Sequence, residues 1–264
     1  MIFDGDGPVV IGHRGAGSGE VLLPGSAEAV MENTVDSILG AVAAGASWIE
    51  IDVTRTADDE LVLRHDPTGA DGAFLVDRTA AETGLPRLAD VFDALPDEVA
   101  LDVDVKTILE DAVDPPERRT GALLAPLLAA EARRRPLLVT SFDPSLLVGL
   151  REELGASVPL GLLTWLRFPL WHAVAAAAGL GLNAVGVHTG SCGFDQPDGR
   201  LRPLDHSVDV AHKAGLAMIA WCPAPADAPR YAAAGVDAMV VNDVPGVIAA
   251  LAGDERVTED VAQG

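Results

Sequence analysis

The sequence predicts an α/β protein of the (β/α)8 TIM-barrel class, and three observations predict it. Short apolar, β-branched runs alternate with helical patterns along almost the whole chain, the arrangement that builds a parallel sheet. Three helical stretches end alike, at Ala44-Gly45, Ala214-Gly215 and Ala234-Gly235, each just ahead of a strand-like run, as glycine helix stops do. The clusters His13-Arg14-Gly15, Glu50-Ile51-Asp52, His65-Asp66 and Asp104-Val105-Lys106 each close a strand-like run. In a closed barrel those strand ends form the catalytic face.

Taken in order, Val9–Gly12 is the first strand, and Thr34–Ala44 the helix that follows a glycine-rich loop. Trp48–Val53 is the second strand. Leu61–Arg64 lies close behind it, and Asp58-Asp59 mark the turn between them, so Leu61–Arg64 reads as a hairpin return. Helix Arg87–Ala94 leads to strand Ala100–Lys106, helix Arg119–Arg134 to strand Leu137–Ser141, and helix Pro144–Leu154 to strand Val158–Leu163. Helix Leu170–Ala178, strand Ala184–His188, helix Leu204–Ala214 and strand Leu216–Trp221 continue the alternation. Helix Ala226–Ala234, strand Ala238–Val241 and helix Pro245–Ala252 complete it. With the hairpin return set aside, eight units remain, which favours a closed barrel over an open sheet. The barrel is expected over residues 1–252 as one catalytic domain, with residues 253–264 an acidic, flexible tail.

At 264 residues and 49% hydrophobic, the chain can bury a substantial core. A net charge of −22 argues against nucleic acid as a partner, because the phosphate backbone would be repelled over most of the surface. A small anionic substrate remains compatible where cations concentrate locally. Cys192 and Cys222 lack a CxxC partner and read as a reduced pair. The first residues show neither a basic region nor an apolar core, so no signal peptide is expected. Val158 to Val187 is strongly apolar, but prolines, glycines and Arg167 divide it, so no transmembrane segment is expected. A cytoplasmic location follows, with transient membrane-surface contact still open.

Glycines 12, 15, 17 and 19 suggest a dinucleotide loop, but no helix opens promptly after Gly19, and Glu32 begins a helix instead of ending a second strand. Glu50 and Asp52 stand two residues apart on one strand and share a face. Two carboxylates so placed repel unless a cation lies between them, which points to a metal with oxygen ligands. Asp104 and Lys106 repeat the spacing, with Asp102 one layer deeper. His13 and His65 supply the acid and base that an ester displacement needs, and Lys106 would reach a phosphoryl oxygen. Each cluster alone also fits a solvated or structural strand end.

His13-Arg14-Gly15, Glu32-Asn33-Thr34, Glu50-Ile51-Asp52-Val53, His65-Asp66 and Asp104-Val105-Lys106 occur here in the order characteristic of the glycerophosphodiester phosphodiesterases. The chain resembles that family from about Val9 to Leu251, through Ser141-Phe142, Ala220-Trp221 and Val241-Asn242-Asp243-Val244-Pro245. The resemblance implies a (β/α)8 barrel holding Ca²⁺ or Mg²⁺ on Glu50, Asp52 and Asp104. It implies acid–base roles for His13 and His65 and phosphate contacts from Arg14 and Lys106. It also implies attack by a substrate hydroxyl to give a cyclic phosphate, which water then opens. Asp104 stands where the family usually has glutamate, although the related sphingomyelinase D toxins carry aspartate there. Met31 stands where proline is usual, and the loop Ala16–Val30 is longer than the family's turn, with Leu22-Leu23-Pro24-Gly25-Ser26 able to cover the mouth.

The leading expectation is therefore a phosphodiesterase acting on glycerophosphodiesters. The alternatives are a phospholipase D-like lyase on lysophospholipids, which releases a cyclic phosphate, and a barrel that binds phosphodiesters without turnover. His188 and Trp221 end strands and face the mouth as substrate contacts or packing groups. His172, His206 and His212 fall in helical segments, and Arg133-Arg134-Arg135 reads as a solvated helix end favoured by the dipole. Trp165, Phe168 and Trp171 crowd the link between the fifth strand and fifth helix, as an apolar lip for an acyl chain or as helix packing.

Overall fold

The computed structural model describes residues 2–3, 7–193 and 202–262, with side chains through residue 253. Strand β1 (Val9–Gly12) is followed by a small hairpin, β2 (Glu20–Leu22) and β3 (Ala29–Met31), and by helix α1 (Val35–Ala43). Strand β4 (Trp48–Arg55) turns back as β5 (Leu61–Leu63), and helices α2 (Ala80–Thr83) and α3 (Leu88–Ala94) come next. The alternation then runs β6 (Ala100–Val105), α4 (Thr120–Glu131), β7 (Leu137–Ser141), α5 (Pro144–Leu154) and β8 (Leu160–Leu163). It ends with α6 (Leu170–Gly179), β9 (Ala184–His188), α7 (Leu204–Lys213), β10 (Ala217–Trp221), α8 (Ala228–Ala233), β11 (Ala238–Val241) and α9 (Val244–Ala262).

The strands lie in the order β1, β11, β10, β9, β8, β7, β6, β4, and a β1–β4 pairing closes the circle. All eight of these pair in parallel, while β5 runs antiparallel on the flank of β4. The expected TIM barrel is thus present, and so is the expected hairpin return. Parallel strands covered on both faces must be apolar outward. Accordingly Ile49, Ile51 and Val53 of β4 and Leu101, Val103 and Val105 of β6 join the layer under the helices. Inward, Ile11, Trp48, Ala100, Leu138, Ala184, Ile219 and Ala238 fill the barrel, and Phe3 packs edge-on to Trp48. Register pairs Glu50 with Asp102 and Asp52 with Asp104, so the carboxylates form two stacked layers inside the barrel.

Local chemistry fixes the helix ends. Thr34 caps α1 by accepting from the Ser37 N–H, and Asp143 caps α5 through the Ser145 and Leu146 N–H groups. Gly45, Gly215 and Gly235 take positive φ values of 104°, 78° and 84°, where a side chain would be strained, so the repeated Ala-Gly stop is a left-handed exit.

Three local expectations are corrected. Helix α4 stops at Glu131, and Arg135 is not solvated: its side chain is buried against the Glu131 carboxylate and the carbonyls of Phe92, Leu95, Pro96 and Val99. The turn after α3 gathers those carbonyls on one side, and one guanidinium has enough donors to reach all four. The loop after β1 contains the β2–β3 hairpin, and its Leu23 folds onto α1 at Gly40, where an added methyl would lie 2.5 Å from Leu23 Cδ2. Helix α9 continues to Ala262 instead of ending at Ala252, since no proline follows and an interior glycine costs a helix only about 1 kcal/mol. The last two residues of the expected tail lie outside the described residues.

Candidate active site

The site begins with the backbone at the end of β1. Arg14 adopts φ 53°, Asn33 φ 56° and Cys222 φ 62°, three non-glycine residues in the left-handed region, which needs compensating contacts. At Arg14 the compensation is visible. Its N–H donates to Glu50 Oε2 at 2.8 Å, and its carbonyl accepts from the Asn33 N–H at 2.9 Å. The Arg14 guanidinium binds both Glu32 oxygens at 3.1 and 3.0 Å, and its Nε lies 3.3 Å from Asp52 Oδ2. Glu32 also accepts from the Gly19 N–H, drawing the glycine-rich loop onto the site.

The structure brings Glu50, Asp52 and Asp104 together. Each is buried and offers one oxygen, all lying within 4.8 Å of one another. Asn33 clamps Asp52 reciprocally: its Nδ2 donates to Asp52 Oδ2 at 2.8 Å, while its Oδ1 accepts from the Asp52 N–H at 3.0 Å. Lys106 reaches back to the same group, with Nζ 2.9 Å from Asp52 Oδ1 and in contact with Asp104 Oδ2. Asp104 Oδ1 is buried without a hydrogen-bond partner. A buried orphan acceptor is expensive, and three convergent carboxylates with one orphan oxygen fit a hard divalent cation.

Electrostatics divides the four acids. Burial, then Asp52 and Asp104, push the Glu50 carboxyl well above its ordinary value. Burial raises Asp104 to about 6 against the opposing pull of Lys106, and raises Asp102 to about 8 against a hydrogen bond from Thr140. Asp52 goes the other way. Burial alone would raise it, but Lys106, Arg14, His65 and the Asn33 amide together hold it below the usual range. Burial also disfavours the Lys106 ammonium, yet Asp104, Asp52 and Glu50 outweigh it and hold its pKa above the ordinary value.

His13 and His65 flank these carboxylates. His13 Nδ1 donates to Asn242 Oδ1 at 2.7 Å, and Ser18 binds the same oxygen through its N–H and hydroxyl. Three donors on one oxygen fix the amide orientation and assign the proton to Nδ1. The opposite nitrogen, Nε2, lies 4.0 Å from Glu50 Oε2. His65 Nδ1 pairs with Asp66 Oδ1 at 2.8 Å, and its side chain is 39% exposed against 13% for His13.

His188 and Trp221 sit across the mouth, packed edge to face with ring centroids 4.2 Å apart. His188 Nδ1 accepts from the Gly190 N–H, and Trp221 Nε1 is buried without a partner. Phe142 adds a ring that touches Trp221 edge-on and lies 5.6 Å below Lys106 Nζ.

Sequence reasoning gave no role to Asn33, Ser18, Asn242 or Phe142. Asn33 and Asn242 did stand in quoted motifs, directly before a helix and directly after the last strand. That placement at strand and helix ends was the available signal.

The glycerophosphoryl diester phosphodiesterase family, as a sequence model, matches residues 13–85. Over that segment, less than half of the chain, the sequence is similar to this family. The matched glycerophosphoryl diester phosphodiesterase segment holds His13, Arg14, Glu32, Asn33, Glu50, Asp52 and His65, and stops short of Asp104 and Lys106. Solved structures extend the likeness in fold to nearly the whole chain. A glycerophosphodiester phosphodiesterase from Parabacteroides distasonis is 21% identical with a TM-score of 0.74, over 96% of this chain and 100% of that one. A second, from Thermotoga maritima, is 20% identical with a TM-score of 0.66, over 92% and 97%. An Oleispira antarctica phosphodiesterase in complex with the product sn-glycerol-3-phosphate is 20% identical with a TM-score of 0.70, over 93% and 97%.

Proposed function

We propose that the protein is a metal-dependent phosphodiesterase that cleaves glycerophosphodiesters to glycerol phosphate and an alcohol. The observation that carries this reading is the buried Glu50–Asp52–Asp104 triad, ringed by His13, His65, Arg14 and Lys106. The sn-glycerol-3-phosphate held by the Oleispira antarctica relative supports the same substrate class.

Glu50, Asp52 and Asp104 would hold Ca²⁺ or Mg²⁺, which when bound supplies charge stabilisation at a phosphoryl oxygen. Lys106 and Arg14 bind the phosphate and orient it. His13 Nε2, its other nitrogen anchored by Asn242, accepts the proton of the attacking glycerol hydroxyl. His65, on the open side, donates a proton to the departing alcohol as its P–O bond breaks. The cyclic phosphate is then opened by water, with the two imidazoles exchanging roles. Trp221 and His188 wall the far side and limit water there.

His13→Ala and His65→Ala should each lower turnover of glycerophosphocholine at least about a hundredfold, the scale of a positioned acid or base. Calorimetry should show metal binding intact in both. Near-normal turnover in either variant, or loss of metal with His13→Ala, would remove the acid–base assignment. Phosphorus NMR of the products separates the reactions: glycerol phosphate accumulates in a hydrolase, whereas a persistent cyclic phosphate would make the protein a lyase.

A further inference from the structure

The link from β8 to α6 presents a run of apolar side chains to solvent. Trp165 is 66% exposed, Leu166 55% and Trp171 55%, with Phe168 also exposed. Exposed rings of this size are unfavourable in water unless they meet a partner. They also belong to one surface that starts at the active site. Phe142, whose ring lies below Lys106 Nζ, stacks on Trp165 with centroids 4.3 Å apart and planes 26° from parallel. The next residue, Leu166, forms the edge of a cavity of about 760 Å³ between α6 and α7, walled by Phe168, Trp171, Val174, Val210 and Ala214.

We propose that this cavity takes the hydrocarbon chain of a monoacyl phosphodiester whose phosphate lies at Lys106; the inference rests on the phosphodiesterase reading of the site. Continuity selects this occupant. A chain esterified to the glycerol leaves the phosphate along the Phe142–Trp165 stack and arrives at Leu166 and the cavity. Charge argues against the main competitor, a bilayer surface. A protein of net charge −22 is repelled by anionic lipid, whereas a single amphiphile brings no extended field. The substrate class is therefore a lysophospholipid, with glycerophosphocholine-like diesters as its chainless analogues.

The test compares lauroyl lysophosphatidylcholine, kept below its critical micelle concentration, with glycerophosphocholine. The variants are Trp171→Ala, which opens the cavity wall, and Ala178→Phe, which fills the cavity from an exposed position. Each should lower kcat/KM for the acylated substrate at least about tenfold, equivalent to about 1.4 kcal/mol, and leave glycerophosphocholine within about twofold. Monomeric dodecylphosphocholine should change the intrinsic tryptophan fluorescence saturably in the wild type and not in Ala178→Phe. Equal losses on both substrates would overturn the proposal, as would a fluorescence response that survives Ala178→Phe or arises only with micelles. If the wild type turns over neither substrate, the phosphodiesterase reading fails, and the fluorescence titration still decides the cavity.

Discussion

Asp104 and Asp102 lie on one strand, face one interior and differ by a single layer, yet their neighbours ask different things of them. Asp104 meets Lys106 and Asp52 with one oxygen left over, while Asp102 accepts from Thr140 Oγ1 at 2.8 Å beside the apolar floor. If Asp104 is a metal ligand, Asp104→Ala should abolish metal-dependent turnover. Asp104→Glu, which lengthens the reach of the carboxylate, should shift affinity or metal preference. Calorimetric titration curves unchanged in both variants would take Asp104 out of the ligand set. Asp102 makes a pH prediction. Its folded pKa of about 8 stands above its ordinary value, so its contribution is fully present below about pH 4 and is lost as pH rises through about 8. In the metal-free protein, Asp102→Asn should therefore gain on the wild type as pH rises through about 8. A gain of at least about 2–4 °C in Tm corresponds to about 1 kcal/mol, and a Tm difference independent of pH would contradict the argument. The shared face of Glu50, Asp52 and Asp104 was legible because strand side chains repeat every second residue. The amides that orient the site were not. Asn33 acts on a partner 19 residues away and Asn242 on one 229 residues away, distances at which no local pattern links donor to acceptor.

Elements were read well where their ends carry chemistry and poorly where they depend on tertiary partners. The Ala-Gly stops at Gly45, Gly215 and Gly235 are left-handed exits, and the strands they precede were recognised from sequence. The β2–β3 hairpin was missed: it is three residues a side, too short for alternation to register. Arg135 was misread because a basic run after a helix suits solvent as readily as a buried carbonyl cage. That cage holds the turn between α3 and β6, and removing one partner of a buried ion pair typically costs about 3–5 kcal/mol. Urea denaturation of Arg135→Ala should show a loss of that size. Arg133→Ala, at an exposed position, should stay within about 0.5 kcal/mol. Equal effects from the two substitutions would mean that the buried cage adds nothing to the stability of this turn.

At the scale of the molecule, barrel closure turns distant clusters into one site. Strands β1, β4 and β6 are neighbours, so His13, Glu50, Asp52, Asp104 and Lys106 converge without any long loop to carry them. That convergence was legible from eight alternating units. The aromatic face from Phe142 to Trp171 was only half legible, because its exposure depends on how α6 lies over the barrel. The chain is strongly acidic overall, with a net charge of −22, and concentrates cations where its candidate substrate carries its charge. Among the described residues no helix is long and apolar enough to cross a membrane. The proposed metal-dependent phosphodiesterase rests on three buried carboxylates and two imidazoles. Its most direct test is turnover of glycerophosphocholine by metal-stripped protein as free Mg²⁺ or Ca²⁺ is raised. Glycerol phosphate should form in saturable proportion to the metal and stop on chelation; turnover unchanged by chelator, or none at any metal concentration, would contradict the account.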